Sequence, residues 1–246
     1  MSTKKYKVSS FSIIYKAEIF IQGLIDNILE QEDFENIQFI FLNPSSPDNS
    51  KNILSPYLEK YDNFKLIDLD SDPGLYECWN ICVKESSADL ITNWNPDDRR
   101  TKDSIKSLAN TLIVMQECDL IYGLTLVTDI KNEKVEDCKS QSIFSSEPFS
   151  IKSLFFNNSP HCMPVWRKNM HEKFGYFDNS YTSAGDGDMW LRAAIGGSKF
   201  FFLKKVIGSY YESDSTVSRN KDKLYFLVNE VYEMRCKNLK RLMRLE

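Results

Sequence analysis

The 246-residue sequence lacks the glycine-rich loops by which many nucleotide-binding sheets hold phosphate. It contains only 9 glycines, and neither Gly-x-x-x-x-Gly-Lys nor Gly-x-Gly-x-x-Gly follows the first predicted strand. If this chain binds a nucleotide, we therefore expect carboxylates, a metal ion and loop backbone to hold it instead of a glycine cradle.

The sequence also lacks long apolar runs and an excess of positive charge. No apolar run approaches the length needed to span a bilayer, and the charged residues 1–5 are not followed by the hydrophobic segment of a signal peptide. The net charge of −4 gives no general attraction to nucleic acid. These absences predict a soluble, cytoplasmic protein that has no transmembrane segment and no nucleic-acid partner.

Cysteine and histidine are too few and too scattered to predict a zinc centre. None of the 6 cysteines forms a Cys-x-x-Cys pair. Cys78 and Cys82 are one helical turn apart, but only His161 and His171 could add imidazole ligands. The spacing favours reduced, mostly buried thiols.

What the sequence does contain is a regular alternation of strand and helix patterns in its first hundred residues. Strands are predicted at 8–15, 37–42, 64–69 and 90–93, and helices at 18–31, 51–60 and 75–85. This order predicts an α/β fold with a mostly parallel sheet. In such a sheet the ligand-binding loops gather at the carboxyl ends of the strands.

The second half follows a less regular pattern. Helices are predicted at 102–117, near 168–174 and from 186, strands at 119–128 and 199–211, and a polar, aperiodic excursion at 131–150. We expect the loop from 131 to 160 to lie over one side of the ligand site, next to residues 163–167, and to be mobile without ligand. Because no linker is visible, we expect a single domain, made of residues 1–100, 101–218 and 219–246.

The last predicted helix, 221–245, is amphipathic. Its apolar residues lie on or near one face: Leu224, Leu227, Val228, Val231, Met234, Leu239 and Leu242. Its end is basic, with Lys237, Lys240, Arg241 and Arg244. Two interpretations remain open for this end: a solvated face that complements the helix dipole, or a membrane-surface contact.

Two adjacent carboxylates follow the fourth predicted strand directly. Residues 89–100 read Asp-Leu-Ile-Thr-Asn-Trp-Asn-Pro-Asp-Asp-Arg-Arg, which places Asp97 and Asp98 at the carboxyl edge of the sheet. Carboxylate oxygens there suit a hard divalent cation shared with nucleotide phosphates. A polar turn is the alternative, because Pro-Asp-Asp is also ordinary turn chemistry.

Two sequence blocks resemble the family-2 glycosyltransferases, which have a GT-A fold. The first reads Gly74-Leu-Tyr-Glu-Cys-Trp-Asn and continues with Ala88-Asp-Leu-Ile-Thr-Asn-Trp-Asn-Pro-Asp-Asp-Arg, similar to the family's acidic DxD-type motif. The second reads Met163-Pro-Val-Trp-Arg-Lys-Asn-Met-His-Glu-Lys-Phe-Gly-Tyr-Phe-Asp, followed by Ala184-Gly-Asp-Gly-Asp-Met-Trp-Leu-Arg. The resemblance, over about residues 8–218, implies a Rossmann-like parallel sheet flanked by helices, a mixed acceptor-side half and a C-terminal amphipathic helix.

The resemblance also implies a function: metal-dependent, inverting transfer of a sugar from a nucleotide diphosphate sugar to an acceptor hydroxyl. A uridine diphosphate sugar is the donor in most relatives, and the acceptor is a glycan, a lipid-linked glycan or a protein. A non-catalytic sugar-nucleotide or glycan-binding module with the same fold is the alternative. A nucleotidyltransferase is a third, against which the missing phosphate loop argues.

By this resemblance, Asp98 is the direct ligand of Mn²⁺ or Mg²⁺. Asp97 binds the same cation or the ribose, and Arg99 binds phosphate or forms a salt bridge within the turn. Asn95 stands where many relatives have the first acid of the motif, and as an amide it contributes no charge.

The donor nucleotide is implied to bind at the first three strand ends. Tyr15 and Glu18 match the first loop, Asp72 matches the third, and Asn80 belongs to the family's Asn-rich helix. Asn43 stands where an acid often recognises the base or ribose.

On the acceptor side, Asp186 matches the family's catalytic carboxylate, although a helix N-cap is its alternative role. Asp188 would follow in the first helical turn, where a structural role is equally open. Trp166, Arg167 and Trp190 are placed on the same side; both tryptophans are candidate sugar platforms, with a core position as the alternative.

The sequence departs from the family pattern near the end of the last strand. Many relatives have a histidine that touches metal or diphosphate where this chain has Ser213. Glu212 or Asp214 are the candidates to replace it as a third protein ligand, with water as the other possibility.

Overall fold

The structure is a computed structural model that describes residues 6–140, 142–144, 147–212 and 224–244. In these ranges the strands are β1 Val8–Ile13, β2 Ile37–Pro44, β3 Phe64–Leu69, β4 Leu90–Asn93, β5 Arg99–Arg100, β6 Leu120–Thr128, β7 Val165–Arg167 and β8 Phe200–Tyr211. The α-helices are α1 Glu18–Leu29, α2 Ser50–Lys60, α3 Leu75–Glu85, α4 Ser104–Val114, α5 Ile151–Phe156, α6 Met170–Phe174, α7 Gly185–Ile195 and α8 Leu224–Leu242.

The eight strands form one sheet in the order β3-β2-β1-β4-β7-β6-β8-β5. The first four strands along the chain pair in parallel, as the strand–helix alternation predicts. Strand β7 then runs antiparallel between β4 and β6, and β5 pairs antiparallel with β8. The sheet is therefore parallel on the side built by residues 1–100 and mixed on the other side. This confirms the predicted fold class.

Two hydrophobic cores cover the two faces of the sheet. Side chains alternate between the faces along β2: Phe39 and Phe41 belong to one core, and Ile40 and Leu42 to the other. Helices α1, α2 and α4 pack on the first face through side chains that include Ile21, Leu54 and Leu108. Helices α3, α7 and α8 cover the second face, with Cys82, Leu191 and Met234 among the contacts.

The elements that sequence patterns miss are short. Strand β5 has two residues and β7 has three, so neither shows a readable alternation. Helix α5 lies within the loop predicted at 131–160, and Ser150 and Ser153 form a capping box at its start. That loop is thus partly helical.

The C-terminal helix corrects one prediction. Its buried residues are Leu227, Glu230, Met234 and Asn238, whereas the predicted apolar-face residues Leu224, Val228 and Leu239 are exposed. The helix therefore buries a face that is half polar and leaves a second apolar stripe in solvent.

Two further predictions concern thiols and membrane segments. All six cysteines are unpaired, and four of them are buried, as expected for reduced thiols. Among the described residues, no helix combines the length and apolar character that crossing a membrane requires.

Candidate functional site

The predicted acidic pair lies on a tight turn directly after β4. The backbone amide of Asp98 donates to the carbonyl of Asn95 at 3.1 Å, which closes a four-residue turn with Pro96 at its second position. The fixed φ of proline favours that position. The sequence Asn-Pro-Asp-Asp thus forms a polar turn, which was the alternative interpretation, and the same turn places both carboxylates at the strand end.

Asp98 is buried (1% exposed) and is held on both carboxylate oxygens. Its Oδ1 accepts from the backbone amide of Tyr211, at the end of β8, at 3.1 Å. Its Oδ2 accepts from Asn95 Nδ2 at 3.0 Å. Asn95, which contributes no charge, therefore orients the acid beside it.

The negative charges of Asp97 and Asp98 are only partly balanced by nearby positive charges. Burial, together with the negative charge of Asp97, raises the pKa of Asp98 to about 8. Burial also raises the pKa of Asp97, against the opposing charges of Arg99 and His161. Two crowded carboxylates that resist ionisation favour a bound cation, because a divalent ion would supply the missing positive charge.

The two arginines after the pair point into the protein. Arg99 Nη1 donates to the carbonyls of Pro96 at 2.8 Å and Asp98 at 2.6 Å, and its Nη2 donates to Asn132. Arg100 is 1% exposed, and its guanidinium lies 5.1 Å from the ring centroid of Trp94. Arg99 thus braces the turn through backbone carbonyls, and not through the salt bridge within the turn that was the alternative to phosphate binding.

Asp186 lies in the first turn of α7, after the N-cap position, which Ala184 occupies. Tyr76 Oη donates to Asp186 Oδ1 at 3.1 Å. Asn158 Nδ2 donates to Oδ2 at 2.7 Å, and His161 Nδ1 lies 3.3 Å from the same oxygen. Asp186 is therefore not a helix cap; three side chains from distant parts of the sequence hold it.

The electrostatics of this group are consistent with an ionised Asp186. Burial alone would raise the pKa of Asp186, but the hydrogen bond and charge of His161, with the Asn158 hydrogen bond, outweigh it and lower the pKa. Burial would likewise lower the pKa of His161, but Asp186, Asp98 and Asp97 together raise it. His161 thus lies within electrostatic reach of both the acidic pair and Asp186, and connects the two predicted parts of the site.

His161 and Tyr76 are site residues that the sequence interpretation missed. Phe144 and Tyr210 flank the imidazole of His161, with ring centroids 4.9 and 5.5 Å away. The available signal was its position directly before the Met163–Arg167 block. Tyr76 lies inside the first matched block, but only the fold brings it to Asp186.

At the donor end of the sheet, Asn43 pairs with an acid that the sequence interpretation also missed. Asn43 Nδ2 donates to Asp68 Oδ1 at 2.6 Å, while Asn43 Oδ1 accepts from the backbone amide of Ser46 at 2.9 Å. Asp68, in β3, also binds Lys51. An acid therefore lies next to the position where relatives often have one, contributed by the neighbouring strand.

The other predicted donor residues border the same edge. Tyr15 is 41% exposed at the end of β1, and Glu18 Oε2 accepts from the backbone amide of Asn49 at 3.2 Å. Asp72 Oδ1 accepts from the amide of Gly74 at 2.9 Å, directly before α3. Asn80 is turned inward and exchanges hydrogen bonds with the backbone of Phe177 at 2.9 and 3.0 Å, so its side chain ties α3 to the acceptor half.

Burial corrects the assignment of the two tryptophans as sugar platforms. Trp166 is 0% exposed and Trp190 is 1% exposed, and their ring centroids are 5.4 Å apart in the core. Trp166 Nε1 donates to His171 Nε2 at 3.0 Å. A buried ring has no free face for a sugar, so the core interpretation is the correct one.

Arg167 and Asp188 are corrected in the same way. Arg167 donates to the backbone carbonyls of Leu112 and Cys118 at 2.7 and 2.9 Å, where it caps the end of α4 away from the site. Asp188 is 0% exposed and binds Arg192 and Arg241, each at 3.1 Å, so it joins α7 to α8. Both residues stabilise the fold, because hydrogen bonds within the protein occupy their charged groups.

A cleft of about 740 Å³ opens at the carboxyl ends of β6 and β8. Its lining includes Thr128, Asp129, Glu133, Asp137 and Glu212. Glu212, one of the candidates for a third metal ligand, directly follows Tyr211, whose backbone amide donates to Asp98. The other two candidates, Ser213 and Asp214, lie outside the described residues. Within the described ranges, no group of three or more His, Cys, Asp or Glu side chains is arranged to hold a metal ion.

Comparison with protein families gives a match over most of this region. A family model described as glycosyl transferase family 2 matches residues 11–173. The minor teichoic acid biosynthesis protein GgaB of Bacillus subtilis is 30% identical over 106 residues, which are 43% of this chain and 12% of that protein. An uncharacterized glycosyltransferase of Haemophilus influenzae is 19% identical over 176 residues, 69% of this chain and 70% of that protein. The chain thus spans only a small part of GgaB.

Solved structures with the same fold cover nearly the whole chain. Staphylococcus aureus TarS (residues 1–349) in complex with UDP-GlcNAc has a TM-score of 0.72 at 16% identity, over 96% of this chain and 70% of that one. The mannosyltransferase PcManGT of Pyrobaculum calidifontis, in complex with GDP-Man and Mn²⁺, has a TM-score of 0.70 at 11% identity, over 96% and 65%. At these identities the similarity establishes the fold.

Proposed function

Since this chain belongs to glycosyl transferase family 2 and is a glycosyltransferase, we propose that it transfers a sugar from a nucleotide diphosphate sugar to an acceptor hydroxyl, with inversion and with the help of a divalent cation. The observation that carries this proposal is the position of His161, which contacts Asp186 and also feels the negative charges of Asp97 and Asp98. One carboxylate is ready to accept a proton, and the other two are ready to hold a cation.

The chain's residues support a single displacement. Asp186 is held in its ionised form by its surroundings, and its carboxylate can take up the proton of an acceptor hydroxyl. As that hydroxyl oxygen forms its bond to the anomeric carbon, its proton passes to Asp186. The bond from the anomeric carbon to the diphosphate oxygen breaks at the same time, and the electron pair leaves with the diphosphate. Attack opposite the leaving group inverts the anomeric centre.

The acidic pair fits a hard divalent cation. Each oxygen of Asp98 accepts one described hydrogen bond and keeps a second lone pair, and Asp97 is half-exposed. Asp97 and Asp98 would hold the cation, with the diphosphate and water as its other ligands. A bound Mn²⁺ or Mg²⁺ supplies positive charge to the leaving diphosphate. The Mn²⁺ in the PcManGT complex supports this part of the proposal.

Uridine is the proposed nucleoside of the donor. The Asn43–Asp68 pair offers an amide and a carboxylate at the strand ends where relatives recognise base or ribose. TarS, whose fold this chain shares, was solved with UDP and with UDP-GlcNAc. A guanosine donor is the second candidate, because PcManGT was solved with GDP-Man.

The test is a donor panel with a direct readout of the leaving group. Release of UDP and GDP is measured for uridine and guanosine diphosphate sugars with Mn²⁺ or Mg²⁺, and again with chelator. We expect cation-dependent release from a uridine donor, and accelerated release once a suitable sugar acceptor is added. Equal release with chelator would overturn the metal proposal, and release from guanosine donors alone would overturn the uridine proposal.

A further inference from the structure

Helix α8 and the turn that follows it carry apolar side chains on one side that faces away from the domain. We call this group the outer stripe; it consists of Tyr225, Val228, Tyr232, Leu239 and Met243. Their exposures are 82%, 58%, 67%, 49% and 66%, respectively. Single exposed apolar residues are ordinary on a protein surface, but five large ones on one side are not.

The stripe lies opposite the face that holds the helix to the protein. Leu227, Met234 and Asn238 are buried against the domain, and at 3.6 residues per turn they project from the side opposite Tyr225 and Tyr232. Packing on α7 therefore does not need the outer stripe. The helix has one face for the fold and a second apolar face that no described residue covers.

Basic side chains border the outer stripe at its C-terminal end. Lys240 and Arg244 have no ion pair among the described residues, unlike Lys237, which binds Asp178, and Arg241, which binds Asp188. Arg235 is turned toward the domain, where its Nη2 donates to the carbonyl of Phe156 at 2.9 Å, and Glu233 contributes one negative charge. The chain as a whole has a net charge of −4. The basic end of α8 therefore differs in sign from the rest of the protein.

We propose that α8 docks in the plane of an anionic lipid surface through the outer stripe. The aliphatic side chains and Met243 would enter the boundary between headgroups and acyl chains, and the tyrosines would lie at the headgroup level. Lys240 and Arg244 would contact lipid phosphates. A second copy of the chain is the competing occupant, but it would leave the basic side chains at the end of the outer stripe without anionic partners. The proposal is independent of catalysis.

The experiment is co-sedimentation of the full chain with vesicles. One set contains equimolar phosphatidylglycerol and phosphatidylcholine, and the other contains phosphatidylcholine alone. We expect binding to the anionic vesicles only, weakened by salt, because screening reduces the attraction of exposed charges. Lys240→Glu/Arg244→Glu should lose most of this binding, as should Tyr232→Ser/Met243→Ser.

A matched control uses exposed apolar residues elsewhere. Ile113→Ser/Val114→Ser changes two side chains at the end of α4 that are 49% and 80% exposed, and should bind vesicles like the unmodified protein. As a second measurement, Tyr232→Trp should be quenched by brominated phosphatidylglycerol, while the native tryptophans, all at most 6% exposed, should not.

Three outcomes would overturn the proposal. They are absence of binding to anionic vesicles, binding that the stripe double variant leaves unchanged, and a Tyr232→Trp reporter that brominated lipid does not quench. A dimer in light scattering that Tyr232→Ser/Met243→Ser dissolves would instead assign the outer stripe to a second copy of the chain.

Discussion

Both carboxylate oxygens of Asp186 accept hydrogen bonds from side chains. These bonds determine what a substitution at this position changes. Asn158 Oδ1 is buried without a hydrogen-bond partner, so Asn158 can rotate its amide and accept from an asparagine at 186. Asp186→Asn therefore retains most of the local hydrogen bonding while losing the proton acceptor.

We predict that Asp186→Asn lowers turnover by roughly 10²- to 10⁴-fold, the usual contribution of a general base. The melting temperature and the affinity for nucleotide diphosphate should change little. Turnover, calorimetric melting and nucleotide titration on the same preparation provide the comparison. Transfer at the unmodified rate would remove Asp186 from the mechanism.

Tyr76 acts through Asp186, and the chain offers a matched control. We predict that Tyr76→Phe lowers kcat by about fivefold, because losing a hydrogen bond of about 1 kcal/mol leaves the proposed base less firmly positioned. The buried Tyr122 donates to the carbonyl of Glu147 at 2.7 Å, away from Asp186. Tyr122→Phe should cost similar stability with kcat unchanged. Equal kcat losses in both variants would show a merely structural effect.

His171 provides a stability test that is independent of the site. Burial and the nearby charges of Arg192 and Lys168 lower its pKa to about 4, against the hydrogen bond to Gly175. The unfolded chain binds a proton at this residue below its usual pKa of about 6.5. The folded chain binds it only near pH 4, so stability falls as pH drops between these values.

We predict that unmodified protein loses roughly 2 kcal/mol relative to His171→Gln when the pH falls from about 7 to about 5. Denaturant unfolding of both proteins at both pH values measures this difference in the free energy of unfolding. Groups that titrate alike in the two proteins contribute equally to both and cancel in the comparison. Parallel pH dependence of the two proteins would contradict the assigned pKa.

At the scale of elements, helix α7 begins with two glycines that have different neighbours. A Cβ at Gly185 would come within 2.6 Å of the Tyr76 ring, whereas one at Gly187 would meet only the flexible Met234 Cε, at 3.3 Å. The first turn of α7 therefore depends on a close approach between α3 and Gly185, and this approach also brings the Tyr76 hydroxyl to Asp186.

We predict that Gly185→Ala destabilises the protein by about 1–3 kcal/mol through overpacking and also lowers turnover. Gly187→Ala should cost little, because alanine is favoured over glycine within a helix by up to about 1 kcal/mol. Thermal unfolding and turnover of the two variants give the answer. Equal stability losses would mean that the Tyr76 ring has room to move.

Long periodic elements could be predicted from the sequence, and elements defined by pairing could not. The structure places β3, α3 and β4 at the predicted residues, because their apolar spacing is clear. Strands β5 and β7 exist only because β8 and β4 lie beside them. The same limit applies to α8, where periodicity shows apolar positions but not which stripe faces the protein.

At the scale of the whole molecule, site residues in local sequence motifs could be predicted, and site residues defined by distant contacts could not. Asp97, Asp98 and Asp186 could be proposed because each lies in a local sequence block. His161 and Asp68 could not, because their partners lie 25 residues away in each case. Trp166 and Arg167 show the converse: a block can match a family while its side chains serve the core.

The whole molecule should respond to ligand as one unit. We predict that UDP with Mn²⁺ stabilises the folded state by about 2.7 kcal/mol at a hundredfold excess over Kd, seen as a higher melting temperature. Asp98→Asn should abolish the part of this increase that depends on Mn²⁺. An equal increase with chelator present, or in Asp98→Asn, would contradict the role of the acidic pair.

The hydrogen bond between Asp98 and the amide of Tyr211 joins residues 113 positions apart, and this separation has a consequence for synthesis. A ribosome releases the acidic motif long before it makes the strand that anchors it. Tyr76 is likewise synthesised 110 residues before Asp186, to which its hydroxyl donates. A half-made chain therefore carries Asp97 and Asp98 without the strand that anchors Asp98, and the order of translation delays completion of the candidate site until nearly all of the sheet exists.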